Sequence, residues 1–413
     1  MSTRLIGLSL GADHCWPACY EEIVRRMDLS LPKGKEKVDF AVERVRVEPF
    51  DLRAKCRYDL VLDRITHWFP TTREWIKKIA LDGVYVFNNP WMIQSAEKHT
   101  TYVAMMRLGF PIPETWMIPP KEYADEPDTI TTIRRYNNLF SLEATAEKVG
   151  YPLFMKPYDG GAWRGVNKVD DTARLHKSYN ESGKQVMHLQ KGVDGFDLFV
   201  RAIGIGPQVN CIKYDAGAPL HARYTLDKDF MDAAGWETMT RYARVINAFF
   251  CWDYNSCEAL RADGVFHPID FANACPDSQV TSLHYHFPWT VRSLVGWSLY
   301  CAYSQRKPRV NPNWQPYFDI ADTDLPFPEK LAKYDALARD YFEVEKFEEF
   351  RRKHLKNLDE ITIAFFQTER AKDIFREKVA MLSPKHEIEE FTDRFFGQVQ
   401  QWCADEAGKL GKG

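Results

Sequence analysis

Leu153-Phe154-Met155-Lys156-Pro157-Tyr158-Asp159-Gly160-Gly161-Ala162-Trp163-Arg164-Gly165-Val166 reads as a strand, a loop and the start of a second strand. A short apolar run ends on Lys156. A loop holding three glycines follows, and the chain leaves it through Val166 and Val169. Alternation puts Phe154 and Lys156 on one face of the strand. A lysine at the end of a buried strand costs free energy unless an anion meets it. Glycines beside it let backbone N–H groups turn onto phosphate oxygens, because no side chain stands between. Arg164 adds a mobile cation. The alternative is a plain hairpin with a snorkelling lysine; the stretch by itself favours the phosphate site.

Outward from this stretch the chain changes character twice. Towards the N-terminus, apolar runs at 5–10, 38–47, 58–62 and 84–87 alternate with amphipathic patterns near 17–27 and 71–80, which predicts strands joined by helical crossovers in a mainly parallel sheet. A helix is expected over 93–108, stopped by Gly109, Pro111 and Pro113. Residues 119–140, polar and broken by Pro119, Pro120 and Pro127, read as an excursion or a linker, and Ser141 can cap a helix ending at Gly150. Residues 186–271 read as antiparallel hairpins around a helix at 237–249, with a last turn at Asp263-Gly264. Beyond 326 the pattern is helical, and the end from Glu406 is expected to fray. The expected division is 1–92, an α/β domain with a parallel sheet; 93–186 and 187–310, two α+β subdomains; and 311–413, a helical extension.

Composition narrows the function classes. The chain has 413 residues, 45% hydrophobic and 27% charged, with a formal net charge of -3. That is ordinary globular composition, with no global pull towards nucleic acid or an anionic membrane. No run approaches the roughly 20 apolar residues that span a bilayer. The apolar run 5–10 is read as a buried strand rather than a signal core. Nine cysteines occur without a C-x-x-C pair, which is read as a reduced, cytoplasmic chain. His14, Cys15 and Cys19 have the wrong spacing for structural zinc. Gly204-Ile205-Gly206 lacks the third glycine of a dinucleotide fingerprint, since Val209 stands there, and reads as a hairpin turn.

With these residues in view, the sequence resembles the ATP-grasp superfamily, in its carboxylate–amine ligase branch that includes ribosomal-protein glutamate ligases and D-alanine–D-alanine ligases. Gly150-Tyr151-Pro152, Lys156-Pro157, Gly160-Gly161 and Arg164-Gly165-Val166 carry the likeness, which covers roughly residues 84–276. The resemblance implies that the two middle units are ATP-grasp subdomains with ATP between them. It places Lys98 and Lys156 on the nucleotide, with Gly160, Gly161, Trp163 and Arg164 in the phosphate loop. It makes 187–193 the strand that holds adenine, with Gln190, Lys191 and Val193 beside the base, and gives Asp197 the ribose hydroxyls. Relatives often carry an arginine two residues after that acid; here Phe199 stands there, and Arg201 lies two further on.

The resemblance also makes Glu258, Asp270 and Asn273 the Mg²⁺ ligands. Two acids on adjacent strands of an apolar sheet repel unless a cation sits between them, and Mg²⁺ takes carboxylate oxygens plus substrate phosphates. The spacing is awkward. Asp270 and Asn273 point to opposite faces at period two, and a two-residue turn at Asp263-Gly264 pairs 257, not Glu258, with 270. A bulge near Phe271 or Ala272, or an odd-length turn, is therefore expected. Arg223 is placed at the transferring phosphoryl group.

On the substrate side, loops after the first and third strands are the expected binding edges. They carry His14, Arg64, Thr66 and His67, and Asp63-Arg64-Ile65 is similar to a loop of the glutamate ligases. His284 and His286 are further candidates. The implied activity is ATP-dependent joining of a small-molecule carboxylate to an amine through an acyl phosphate. A kinase of the same superfamily and a non-catalytic nucleotide-binding protein are the alternatives. For the C-terminal helices, packing onto the core and homodimer formation both stay open.

Overall fold

A computed structural model describes residues 2–11, 13–46, 48–64, 68–95, 97–123, 125–136, 140–159, 164–274, 276–309 and 311–411. The N-terminal strands β1 (Ser2–Leu10), β2 (Ser30–Lys33), β3 (Glu36–Arg44), β4 (Leu60–Arg64) and β5 (Tyr85–Phe87) form one sheet in the order β2-β3-β1-β4-β5. The β1–β3, β1–β4 and β4–β5 pairs are parallel, and β2–β3 is an antiparallel hairpin. The crossovers are helices Cys15–Met27 and Pro70–Leu81, which bury Ile23 and Val24, and Ile76 and Ile79.

A second sheet joins β6 (Thr115–Ile118), β7 (Leu153–Pro157), β8 (Asn167–Val169) and β9 (Met187–Lys191) in the antiparallel order β6-β9-β7-β8. A third joins β10 (Leu198–Ile205), β11 (Gln208–Lys213), β12 (Tyr254–Ala262) and β13 (Val265–Asn273) in the order β11-β10-β12-β13. The boundary expected at 186/187 falls inside the second sheet, because β9 is hydrogen-bonded to β6 on one side and β7 on the other. That sheet has its own core of Ile118, Leu153, Met155, Val169, Leu175 and Leu189.

The expected helix over 93–108 is two helices, Pro90–Ser95 and Lys98–Arg107. The second starts where the Lys98 N–H donates to Tyr158 O at 3.3 Å, so its first turn is anchored to the strand-and-loop stretch. Within 119–140 the chain forms the helix Pro127–Tyr136. Ser141 caps its helix as expected, accepting from Ala144 N at 3.0 Å. The C-terminal helices are part of the main core rather than an appendage: Phe347 and Phe350 pack on Tyr300, and Phe375 on Phe287. Nor does the end fray at Glu406. Helix Ile388–Leu410 continues past it, held by Arg292 on Glu406 at 2.9 Å and by Tyr285 on Asp405 at 2.7 Å. Among the described residues all eight cysteines are free, and no helix is long and apolar enough to cross a membrane.

Two polar nodes join the first sheet to the third. Asn88 donates through Nδ2 to Tyr254 O (2.7 Å) and Ala274 O (2.6 Å), and accepts from Tyr254 N through Oδ1 (2.7 Å). Asp253 accepts from Tyr85 Oη and Trp297 Nε1, both at 2.8 Å, and burial raises its carboxyl to about 6. Removing one partner leaves buried groups unsatisfied at about 1–3 kcal/mol each. Asn88→Ala is therefore expected to lower unfolding stability by about 3 kcal/mol in urea titrations; a loss below about 1 kcal/mol would contradict the node.

Candidate functional site

β7 delivers Lys156 to the interface of the second and third sheets. Its Nζ donates to Gln190 Oε1 at 2.7 Å and to Ile269 O at 3.3 Å, the latter on β13. Gln190 Nε2 donates to Thr115 Oγ1 at 2.9 Å, which fixes the amide so that its oxygen faces the lysine. Burial brings the Lys156 ammonium down to about 8; nearby Lys98 adds to this, and Asp270 opposes it. A buried cation held this weakly has room for an anion.

The acids come from the β12–β13 hairpin. Its turn has the two residues expected, Asp263 (φ 50°) and Gly264 (φ 77°), and pairs Ala262 with Val265. The ladder runs regularly to Ala259↔Pro268 and then shifts twice, to Glu258↔Asp270 and Ser256↔Asn273. The second shift, across Phe271 and Ala272, is the irregularity expected from the sequence. The first, at Ile269, was not foreseen, and it sets Glu258 opposite Asp270. An extra residue turns its carbonyl out of the ladder. Ile269 O is then taken by Tyr102 Oη at 2.7 Å and by Lys156. One bulge thus aligns the acids and seats the lysine.

Register extends the row. Arg201 on β10 is the partner of Glu258, which is the partner of Asp270. Lys98, 7% exposed, donates to Asp270 Oδ2 at 2.9 Å. Across the sheet the order is Lys98, Asp270, Glu258, Arg201. Burial pulls the Lys98 pKa down, but Asp270 and then Glu258 and Asp159 outweigh it and leave it above the usual lysine value. Burial raises the Glu258 carboxyl; Arg201 opposes that, and Asp270 adds to it. Asp270 Oδ1 is buried with no hydrogen-bond partner among the described residues. A bare carboxylate oxygen beside a second carboxylate fits a small hard cation such as Mg²⁺. Asn273 lies on the same hairpin and donates to Ser256 Oγ at 2.8 Å. No group of three or more His, Cys, Asp or Glu suited to a metal occurs among the described residues, so a metal here depends on two acids and an amide.

Other expected residues are placed differently. Gly160, Gly161 and Trp163 lie outside the described residues, as do Thr66 and His67. Arg164 and Lys191 are exposed, Gln190 is buried and Val193 is half-buried. Asp197 is exposed and bound by both oxygens to Arg261, at 3.0 and 2.6 Å. Arg223 Nε donates to Ala218 O at 3.0 Å within its own turn, and no hydrogen bond or ion pair joins Arg223 to either acid. The arginine brought to the acids is Arg201, and its signal was a single charge inside the fully buried run Leu198–Ile205. On the substrate side, His14 is exposed, and Arg64 Nε donates to buried Asp13 at 3.1 Å. His284 is buried under the C-terminal helices, and His286 bonds Thr225 O at 2.9 Å. Sequence reading also missed His99 and His188, joined Nε2 to Nδ1 at 3.1 Å beside the two lysines.

No family model and no curated protein matches the sequence. Among solved structures the chain is similar to a RimK domain ATP-grasp protein from Sphaerobacter thermophilus, at 13% identity and a TM-score of 0.47 over 66% of this chain and 92% of that one. It is also similar to D-alanine–D-alanine ligase from Bacillus anthracis complexed with ATP, at 13% identity and 0.47 over 74% and 99%. The macrocyclase MdnC from Microcystis aeruginosa, bound with precursor peptide MdnA, gives 11% identity and 0.47 over 71% and 98%.

The buried histidines make stability depend on pH. Burial, then Lys156, holds His188 well below its usual value; burial holds His284 at about 3 and His286 at about 4. Between about pH 4.5 and 6 the unfolded chain protonates His284 and His286 while the folded chain keeps them neutral, and His188 is displaced the same way. Asp253, raised to about 6, runs the other way and keeps one proton in the folded state. The histidines outweigh Asp253, so the unfolded chain binds more protons than the folded one and stability falls as pH falls. Urea unfolding at pH 6 and pH 5 measures this; equal stability at both would contradict it.

Proposed function

We propose that the chain is an ATP-grasp ligase that activates a carboxylate with Mg-ATP and joins it to an amine. The observation that carries the reading is the convergence of Lys98 and Lys156 on a bulged hairpin whose two acids face each other. Phosphoryl transfer needs mainly positioning and charge neutralisation, and this cluster offers both. In this reading the lysines take the phosphates, and Gln190 holds Lys156 in place through its amide. Glu258, Asp270 and Asn273 would hold Mg²⁺, which would supply positive charge to neutralise the phosphates.

The base lies at the end of β9 rather than along it. β9 is paired on both sides, and Gly192 N–H is taken by Pro152 O, so Val193 offers the next backbone groups. The substrate carboxylate attacks the γ-phosphorus, and the bond to the β,γ-bridging oxygen breaks, releasing ADP. The amine then adds to the acyl carbon, loses a proton and expels phosphate. The substrates enter at the carboxyl ends of β1 and β4, beside Asp13 and Arg64.

Lys156→Met is expected to weaken Mg-ATP binding at least tenfold by titration calorimetry; unchanged affinity would count against the site. In a screen of acids and amines, phosphate release is expected only when both are present. Turnover with a hydroxyl acceptor alone would favour a kinase.

A further inference from the structure

We propose that Arg201 is the residue that meets the terminal phosphoryl group of ATP and neutralises it during transfer. The inference rests on the nucleotide reading above and adds to it a residue that lies outside the expected motif. Arg201 sits inside β10, 8% exposed, with Leu198 to Ile205 buried around it. A guanidinium in such a strand is expensive to bury without partners. Arg201 ion-pairs with Glu258 and donates to the Tyr224 hydroxyl. Its guanidinium carbon lies 4.6 Å from the Tyr214 ring centroid and 5.3 Å from that of Tyr224. The two rings stand edge-on to each other, 5.2 Å apart, and the planar cation lies against both. The head is thus fixed in orientation, not only in charge.

One donor of this head is left over. Nε is buried and has no partner among the described residues. A guanidinium offers five N–H donors, and Glu258 and Tyr224 engage only its two terminal nitrogens. A hydrogen-bond-competent cation held rigid with a free buried donor is suited to an oxyanion.

Direction along the row says which oxyanion. Lys156 and Lys98 both bind at β13, through Ile269 O and Asp270. Arg201 lies on β10, two strand spacings or about 10 Å from β13. A triphosphate whose inner phosphates sit on the lysines runs across Asp270 and Glu258 and brings its outermost phosphoryl group to Arg201. The second sheet, which the nucleotide reading gives to the base, lies at the β13 end, so the chain of phosphates has one direction available. Arg223 bonds within its own turn and does not compete for this place.

This geometry predicts discrimination between triphosphate and diphosphate. The test is calorimetry with the β,γ-methylene analogue of ATP and with ADP, each with Mg²⁺, on the full chain and on Arg201→Lys. Lysine keeps a charge for Glu258 and loses the fork. The analogue is expected to bind about tenfold more weakly to the variant, and ADP equally to both proteins. Tyr224→Phe removes one hydrogen bond that orients the head and is expected to give a smaller loss, about threefold, again confined to the analogue. It serves if Arg201→Lys fails to fold, as judged by thermal melting. Equal losses for analogue and ADP, or none, would overturn the proposal and leave Arg201 as a counter-ion for Glu258. If the unaltered chain binds neither nucleotide, the nucleotide reading itself fails.

Discussion

Two carboxylates, Glu258 and Asp270, are held side by side on one face of a buried sheet, and the rest of the site is arranged around their repulsion. Like charges in direct cross-strand contact are unfavourable, and burial makes the Glu258 carboxylate costlier still. The chain answers with a cation at each end of the pair, Lys98 on Asp270 and Arg201 on Glu258. Such an arrangement has a poor return as a device for stability, because buried ion pairs seldom outweigh their desolvation. It is understandable as a set of charges made ready for a ligand that carries charges of its own.

The scaffold explains how the four side chains stay in line. β10, β12 and β13 lie in sequence within the third sheet, so register alone fixes Arg201, Glu258 and Asp270. Lys98 comes from outside, on a helix whose first turn is tied to Tyr158 O. The second sheet keeps a separate core and meets the third through Lys156 and Ile269. The C-terminal helices share the main core with the N-terminal sheet.

Much of this was legible from local pattern. The turn at Asp263-Gly264 was readable because both residues tolerate positive φ, as the structure confirms. β7 and its lysine were readable because a charge ended an apolar run. The mismatch between Glu258 and Asp270 required some irregularity, and one of the two shifts was found by counting. The other, at Ile269, answers to partners far along the chain, Tyr102 and Lys156, and no local rule foretells it. Arg201 falls outside the family's position two residues after Asp197, where Phe199 stands. One pleat further along, the side chain returns to the same face, and a single arginine in an apolar strand was itself the signal. β9, which follows the expected division at 186/187, pairs with β6 and β7, because strand order within a sheet is not written in chain order.

The central claim is that these distant residues converge to bind a metal–triphosphate. Crystals grown with Mn²⁺ and the β,γ-methylene analogue of ATP test it most directly, because Mn²⁺ can be located by its anomalous scattering. The account predicts a manganese peak coordinated by Asp270 Oδ1 and Glu258, with phosphate oxygens on Lys98 and Lys156. Nucleotide bound elsewhere, or manganese absent from the two acids while the nucleotide is in place, would contradict it.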